Sequence, residues 1–272
     1  MELNIQHDCI GVFDSGIGGL SVANAISGLL PKENLLYIAD NANAPYGSKP
    51  PAEVQKYAHQ LTEILLAAGA KMIVVACNTA TAMAINSLRE KWLDVPFVGM
   101  EPAIKPAANA TKTGVIGVMA TQITLGSERY KSLAGRFAKS LTVMEDPCRG
   151  LVPLIEAGTR GKELTQMLHA ILDPMLDAGA DTLVLGCTHY PIVEEEIRSI
   201  CGSNVEIIDP AMPTARQVKR LLNDAIAVGA ESENLDEVAN ARYDFFATGS
   251  AVSIHRTLLE LENLNKYRAL VS

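Results

Sequence analysis

The chain has 272 residues, 48 % hydrophobic and 20 % charged, a composition that fits one large or two modest packed domains and excludes a disordered polymer. A net charge of −8 with only 5 % aromatics argues against a broad nucleic-acid surface, which needs an excess of Lys and Arg. The N-terminal stretch MELNIQHDC lacks the basic-then-apolar order of a signal peptide, and no apolar run approaches the roughly 20 residues of a membrane span, so a cytosolic protein is expected.

In chain order, CIGVFD reads as a strand that ends at a glycine-rich turn, SGIGG, and LSVANAISGLL follows as a helix. NLLYIAD is a second strand. Val54, Tyr57, Leu61, Ile64, Leu65 and Ala68 then recur at helical spacing, and Gly69 stops that helix. MIVVA and FVGM are short apolar runs of the kind buried on both faces of a parallel sheet. The same order then repeats. TGVIGVMAT parallels IGVFDS and sets Thr121 over Ser15. HAILDPMLDAGA parallels HQLTEILLAAGA, which puts His59 and His169 at matching helix starts in structural roles. VEIIDPAMP parallels VPFVGMEPA. The expectation is an α/β fold of two similar parallel-rich domains related by a pseudo-two-fold, with a cleft between them. The first would span residues 1–100 plus 211–272, because the late run YDFFATG returns to it, and the second 101–210.

Within this repeat, AGAKMIVVACNTA is matched by AGADTLVLGCTHY, so Cys77 and Cys187 end equivalent strands. Ligands of open α/β sheets bind at the carboxyl ends of the strands, which would place the two thiols on opposite walls of one cleft. Cys9, Cys148 and Cys201 read as ordinary buried thiols, with Cys148 in a loop, EDPCRGLVP, whose sequence leaves a position near the cleft open. Five widely spaced cysteines suit a reducing compartment rather than a disulfide framework. Cys187 and His189 lack a second close pair, so no metal is expected.

A pair of opposed thiols suits inversion of a hydrogen-bearing stereocentre. One removes a proton from one face while the other returns a proton to the opposite face, and a thiol works in either state near neutrality. Helix starts behind both cysteines would supply N–H groups to the thiolates. Asn78, Thr79 and Thr188 offer donors to a carboxylate. Asp14 either helps Cys77 hold a proton, grips an ammonium group or simply caps a turn. His189 is placed to exchange a proton with Cys187. Glu156 reads, from its own surroundings, as a helix-surface carboxylate. APYGSKP is turn chemistry around Tyr46 and Gly47, either a solvated loop or a lip over the cleft. The glycines after Asp14, with Asp40 further on, imitate a dinucleotide fingerprint. Ser21 at the third glycine position, and Asp14 beside the would-be pyrophosphate, oppose it.

Taken together, DSGIGGLSV, APYGSK, ACNTATA, EPAIKPA and GCTHYP resemble the signatures of the glutamate racemases, within the cofactor-independent aspartate/glutamate racemase superfamily. The resemblance covers essentially the whole chain in the right order. It implies interconversion of L- and D-glutamate for peptidoglycan precursors, a homodimer, and neither pyridoxal phosphate nor metal. It assigns Cys77 and Cys187 as the acid-bases, Cys77 acting on D-glutamate and Cys187 on L-glutamate. It matches Asp14, Ser15, Tyr46, Gly47, Asn78, Thr79, Thr121, Thr188 and His189 to substrate-site positions, and Glu156 to a glutamate that assists the second cysteine. Ser21 and Ser48 stand where the family often has Thr, and PCRGLVPLIEAG is a looser match. Two readings compete: a relative acting on aspartate or another small α-substituted acid, and a thiol-bearing binding protein without turnover.

Overall fold

The computed structural model describes residues 8–229, 241–250 and 257–258. The first half runs β1 (Cys9–Asp14), α1 (Leu20–Leu29), β2 (Asn34–Ala39), α2 (Pro51–Ala67), β3 (Ala70–Val75), α3 (Asn78–Lys91) and β4 (Phe97–Gly99). The second runs α4 (Ile104–Ala110), β5 (Val115–Ala120), α5 (Gln122–Gly126), α6 (Glu128–Phe137), β6 (Thr142–Asp146), α7 (Leu151–Glu156), α8 (Lys162–Asp177), β7 (Thr182–Gly186), α9 (Glu194–Cys201) and β8 (Glu206–Ile208). Then α10 (Ala211–Gly229) packs on α1, and β9 (Tyr243–Ala247) pairs with β2.

Among the described residues all strand pairs are parallel, and the two sheets share one strand order. The first is β9-β2-β1-β3-β4 and the second β6-β5-β7-β8, so β1, β2, β3 and β4 correspond to β5, β6, β7 and β8. This is the α/β architecture of two like sheets that the repeat implies. The central strands are buried from end to end, as in β1 and β7, because apolar clusters cover both faces of each sheet. A fully buried Val, Ile or Leu contributes about 1.5–3 kcal/mol, which makes these strands the most firmly held part of the chain.

In an order of this kind the connections leave β1 toward β2 on one side and reach β3 on the other. A crevice therefore opens at the carboxyl ends of β1 and β3, and equally of β5 and β7. Asp14 ends β1 and Thr121 follows β5, while Cys77 and Cys187 lie just beyond β3 and β7.

Two helical expectations shift. Proline at its start lets α2 begin at Pro51, so His59 lies mid-helix rather than at its start; His169 likewise lies inside α8. His59 meets Ser87 Oγ at 3.0 Å and the Trp92 ring, and His169 pairs with Asp173 at 3.0 Å. The buried stripe of α2 is Val54, Ala58, Leu61, Thr62 and Leu65; Ile64, expected inside, is 47 % exposed. These positions follow the i, i+4, i+7, i+8, i+11 spacing of one helix face, and Ile64 at i+10 falls outside it.

Candidate active site

A cavity of about 250 Å³ lies where the two crevices meet. Ser15, Tyr46, Gly47, Cys77, Asn78 and Thr79 reach it from the first half, and Thr121, Cys187, Thr188 and His189 from the second. Ten of the twelve residues singled out in the sequence thus line this one cavity. Asp14 and Glu156 do not: they stand directly behind it and act on groups that line it.

Cys77 is the N-cap of α3, and its Sγ accepts the Ala80 N–H at 3.4 Å and lies 3.8 Å from Ser15 Oγ. Burial, followed by the charge of Asp14, nevertheless holds this thiol well above its ordinary range. Asp14 is fully buried. Its Oδ2 accepts the Gly19 N–H at 2.8 Å and the Thr188 hydroxyl at 3.3 Å, and Oδ1 has no partner among the described residues. Burial raises its carboxyl, only partly opposed by the charge of His189.

The second thiol is built differently. A helix start behind each cysteine was expected, but HYPIV carries Pro191 and folds as a single 3₁₀ turn, Tyr190–Val193, before α9. Cys187 meets a side chain instead: Sγ lies 3.8 Å from His189 Nδ1, and His189 Nε2 lies 2.6 Å from Glu156 Oε1. Burial disfavours the imidazolium, but the contacts with Cys187 and Glu156 outweigh it and hold His189 well above its usual range. Burial also works against the Glu156 carboxylate, and the bond from His189 brings it below its usual range. One thiol is thus backed by a buried carboxyl and the other by an imidazole–carboxylate pair.

The two halves are held in register by hydroxyls. Thr79 Oγ1 and Thr121 Oγ1 are 3.0 Å apart, and Thr121 also caps α5. The loop after Asp14 is glycine-rich for reasons of space. A Cβ on Gly16 would collide with Glu156 Oε1, and one on Gly18 would stand 2.5 Å from Thr188 Oγ1. Those glycines let the second half seat its Cys187 loop against the first, a role their phosphate-loop pattern does not suggest.

APYGSKP is a lip of the cavity. Tyr46 is buried, its hydroxyl donating to Asp40 at 2.6 Å, and Asp40 also accepts from Asn43 and, at 2.5 Å, from Thr248 beyond β9. Asn78 Nδ2 donates to the Met100 carbonyl at 3.5 Å, whereas its buried Oδ1 lacks a partner among the described residues. Gln122, Cys148, Arg149 and Tyr190 also line the cavity, and sequence reasoning left them without a role there. Their adjacency to Thr121 and His189, and the loop position of Cys148, were the available signals. Cys9 is buried at the far end of β1, its thiol pushed up to about 11 by burial and then by Asp8. Cys201 ends α9.

Known proteins of similar sequence and fold are racemases. The family model described as Asp/Glu/Hydantoin racemase matches residues 19–218. A glutamate racemase of Pseudomonas putida strain W619 is 50 % identical over 214 residues, 78 % of this chain and 81 % of that protein. The crystal structure of the glutamate racemase of Francisella tularensis in complex with D-glutamate superposes with a TM-score of 0.81 at 29 % identity, covering 98 % of this chain and 97 % of that one. The Escherichia coli glutamate racemase, solved with L-glutamate and the activator UDP-MurNAc-ala, gives 0.80 at 32 % identity, again covering 98 % and 97 %.

Proposed function

We propose that this chain, which belongs to the Asp/Glu/hydantoin racemase family and is an amino-acid racemase, interconverts L-glutamate and D-glutamate by two-thiol acid-base catalysis. The observation that carries the mechanism is that Cys77 and Cys187 leave equivalent strands of two like sheets and line one cavity. Its substrate rests on the glutamate racemases to which the chain is similar.

In the L-to-D direction, Cys187 as thiolate takes the α-proton. The S–H bond forms as the C–H bond breaks, and the Cys77 thiol gives its proton to the opposite face. The negative charge thereby passes from Cys187 to Cys77. The His189 imidazole, held from its far side by Glu156, stands beside Cys187 Sγ and is placed to exchange a proton with it. The raised Cys77 thiol suits the acid role, and the raised carboxyl of Asp14 behind it can return a proton once Cys77 is spent. Asp14 and Glu156 are positioning residues in this scheme; neither lines the cavity.

No cofactor is assigned to delocalise the carbanion. The hydroxyls of Ser15, Thr79, Thr121 and Thr188 and the amide of Asn78 supply preorganised donors around it. Asn78 Oδ1, buried and without a partner among the described residues, is an acceptor suited to the substrate ammonium. Tyr46 and Gly47 close the cavity at the lip. The two sheets act as domains, 1–100 plus 211–272 and 101–210, that clasp the substrate between them. We assign the product to peptidoglycan precursor supply in the cytoplasm and the active form to a homodimer; the activator bound to the Escherichia coli relative, a muramyl nucleotide, is in keeping with the pathway.

Proton NMR of the protein with L-glutamate in D2O, with no cofactor added and with optical detection of the D-enantiomer, tests the reading. Loss of the α-proton signal with appearance of D-glutamate is expected, and Cys77→Ala should abolish racemisation. A Cys77→Ala protein racemising at the native rate would overturn the two-thiol mechanism. Retention of the α-proton with glutamate but loss with aspartate would move the substrate.

A further inference from the structure

Among the described residues, Arg149 is the one Lys or Arg on the wall of the central cavity. It stands between β6 and α7, on a turn that holds it at the mouth. Asp146 Oδ1 accepts the Cys148 N–H at 2.7 Å, and the Cys148 carbonyl accepts the Leu151 N–H at 3.1 Å. Cys148 and Gly150, on either side of Arg149, both take left-handed backbone, at φ 47° and 86°. For a cysteine that conformation is costly, and only a turn fixed by its surroundings retains it. The exposed guanidinium donates from Nη2 to Gln122 Oε1 at 3.2 Å, and Gln122 lines the cavity just past β5. Arg149 is thus exposed at the rim and tethered by a neutral partner, so its charge is not cancelled there.

Its setting is otherwise hostile to anions. The chain carries −8, and a dicarboxylic amino acid carries about −1 near neutrality, so the long-range field opposes its approach. Inside the cavity the other cation, His189, is matched by Glu156. If the α-carbon sits between the two sulfurs, Asn78, Thr79 and Thr188 beside those sulfurs take up the α-substituents. A substrate side chain that extends past Thr121 toward Gln122 would end beside the Arg149 guanidinium.

We propose that Arg149 captures the side-chain carboxylate of the substrate and so sets the preference for a dicarboxylic amino acid. This rests on the reading of the chain as a glutamate racemase. An Arg fork matches a carboxylate, and at a rim it acts both as a steering charge and as a hydrogen-bonding partner.

The test is kcat and KM for L-glutamate in the native protein and in Arg149→Lys, Arg149→Gln and Arg149→Glu, at low and high salt. Arg149→Gln should raise KM about fivefold with kcat within about twofold, the scale of one charge at a solvent-exposed rim. Arg149→Lys should keep most of the native KM, and Arg149→Glu should raise it beyond Arg149→Gln. Salt screens the Arg149 attraction in the native protein alone, so the ratio of native to Arg149→Gln kcat/KM should shrink as salt rises. An Arg149→Gln protein with native KM and native salt dependence, or one losing kcat at unchanged KM, would overturn the proposal. A native protein that leaves glutamate unracemised would overturn the underlying reading instead, before any variant is compared.

Discussion

Gly18→Ala tests the close seating of the two halves. The added Cβ would stand 2.5 Å from Thr188 Oγ1, 2.6 Å from its carbonyl carbon and 2.7 Å from its Cβ. Ordinary carbon contacts are about 3.5–4.0 Å, so the deficit is about 1 Å. Rotating the Thr188 side chain removes the first clash but not the second, which is backbone. Either the loop after Asp14 retreats, straining the Gly19 N–H bond to Asp14, or Thr188 moves and takes Cys187 with it. Overpacking of this kind costs about 1–3 kcal/mol. For a chain of this size that lowers Tm by about 2–10 °C. A 1 Å misplacement of a reacting group is worth up to about 100-fold, so kcat/KM should fall on the order of 10- to 100-fold. Gly135→Ala is the control: it lies inside α6 with nothing within 4 Å of the added Cβ, and should stabilise by about 0.5–1 kcal/mol. Thermal melts followed by circular dichroism, and D-glutamate formation from L-glutamate, give both readouts. Native melting and native turnover in Gly18→Ala, with the control behaving as expected, would refute the reasoning.

Glu156→Gln should leave the fold intact and lower kcat/KM by about 10- to 100-fold, the usual range for a group that orients a reacting side chain. Without the carboxylate the raised value of His189 falls, so in a pH–rate profile the alkaline limb should move to lower pH; an unmoved limb would remove Glu156 from the relay. Asp209, whose carboxyl is pushed up to about 6 by burial while Oδ1 accepts the Ala211 N–H at 2.9 Å, gives a stability test. The folded state holds its proton more tightly than the unfolded state, so native stability should fall as pH rises between about 4 and 6 and level off above. Asp209→Asn keeps the acceptor without the charge. In urea titrations it should be more stable than the native protein by about 1–3 kcal/mol at pH near 8, with the gain gone at pH near 4.

The sequence exposed the repeat because apolar runs and the strand-end cysteines follow local rules, and the shared strand order of the two sheets comes from that repeat. Residues next to Cys77 and Cys187 were legible for the same reason: a strand end carries its followers into the crevice. What escaped depends on contacts between distant segments. Gly16 and Gly18 make sense only once Glu156 and Thr188 are opposite them, and no local pattern places those four together. Asp40 looked like a fingerprint carboxylate and instead serves Tyr46. The support of Cys187 was misjudged because one proline, Pro191, turns an expected helix start into a 3₁₀ turn and leaves His189 to do that work. Glu156 looked like a surface group because its partner lies 33 residues on. Arg149 reaches the rim through two left-handed residues, and only the glycine among them is a recognisable signal.

The bond from Thr248, the residue after β9, to Asp40 ties the end of that strand to the lip of the cavity. During synthesis, β1 to β4 can assemble once residue 99 has emerged, and the second sheet once residue 208 has. Until β9 arrives, β2 is an open edge with Leu35, Leu36 and Tyr37 in the strand, and Asp40 lacks the Thr248 hydroxyl among the donors that fix it beneath Tyr46. A nascent chain with both sheets formed therefore still has an unfinished lip and a surface open to mispairing. Pairing of residues 243–247 with β2 closes that edge, and the Thr248 hydroxyl that follows joins the donors on Asp40 beneath Tyr46, so edge closure and lip support depend on the same short segment.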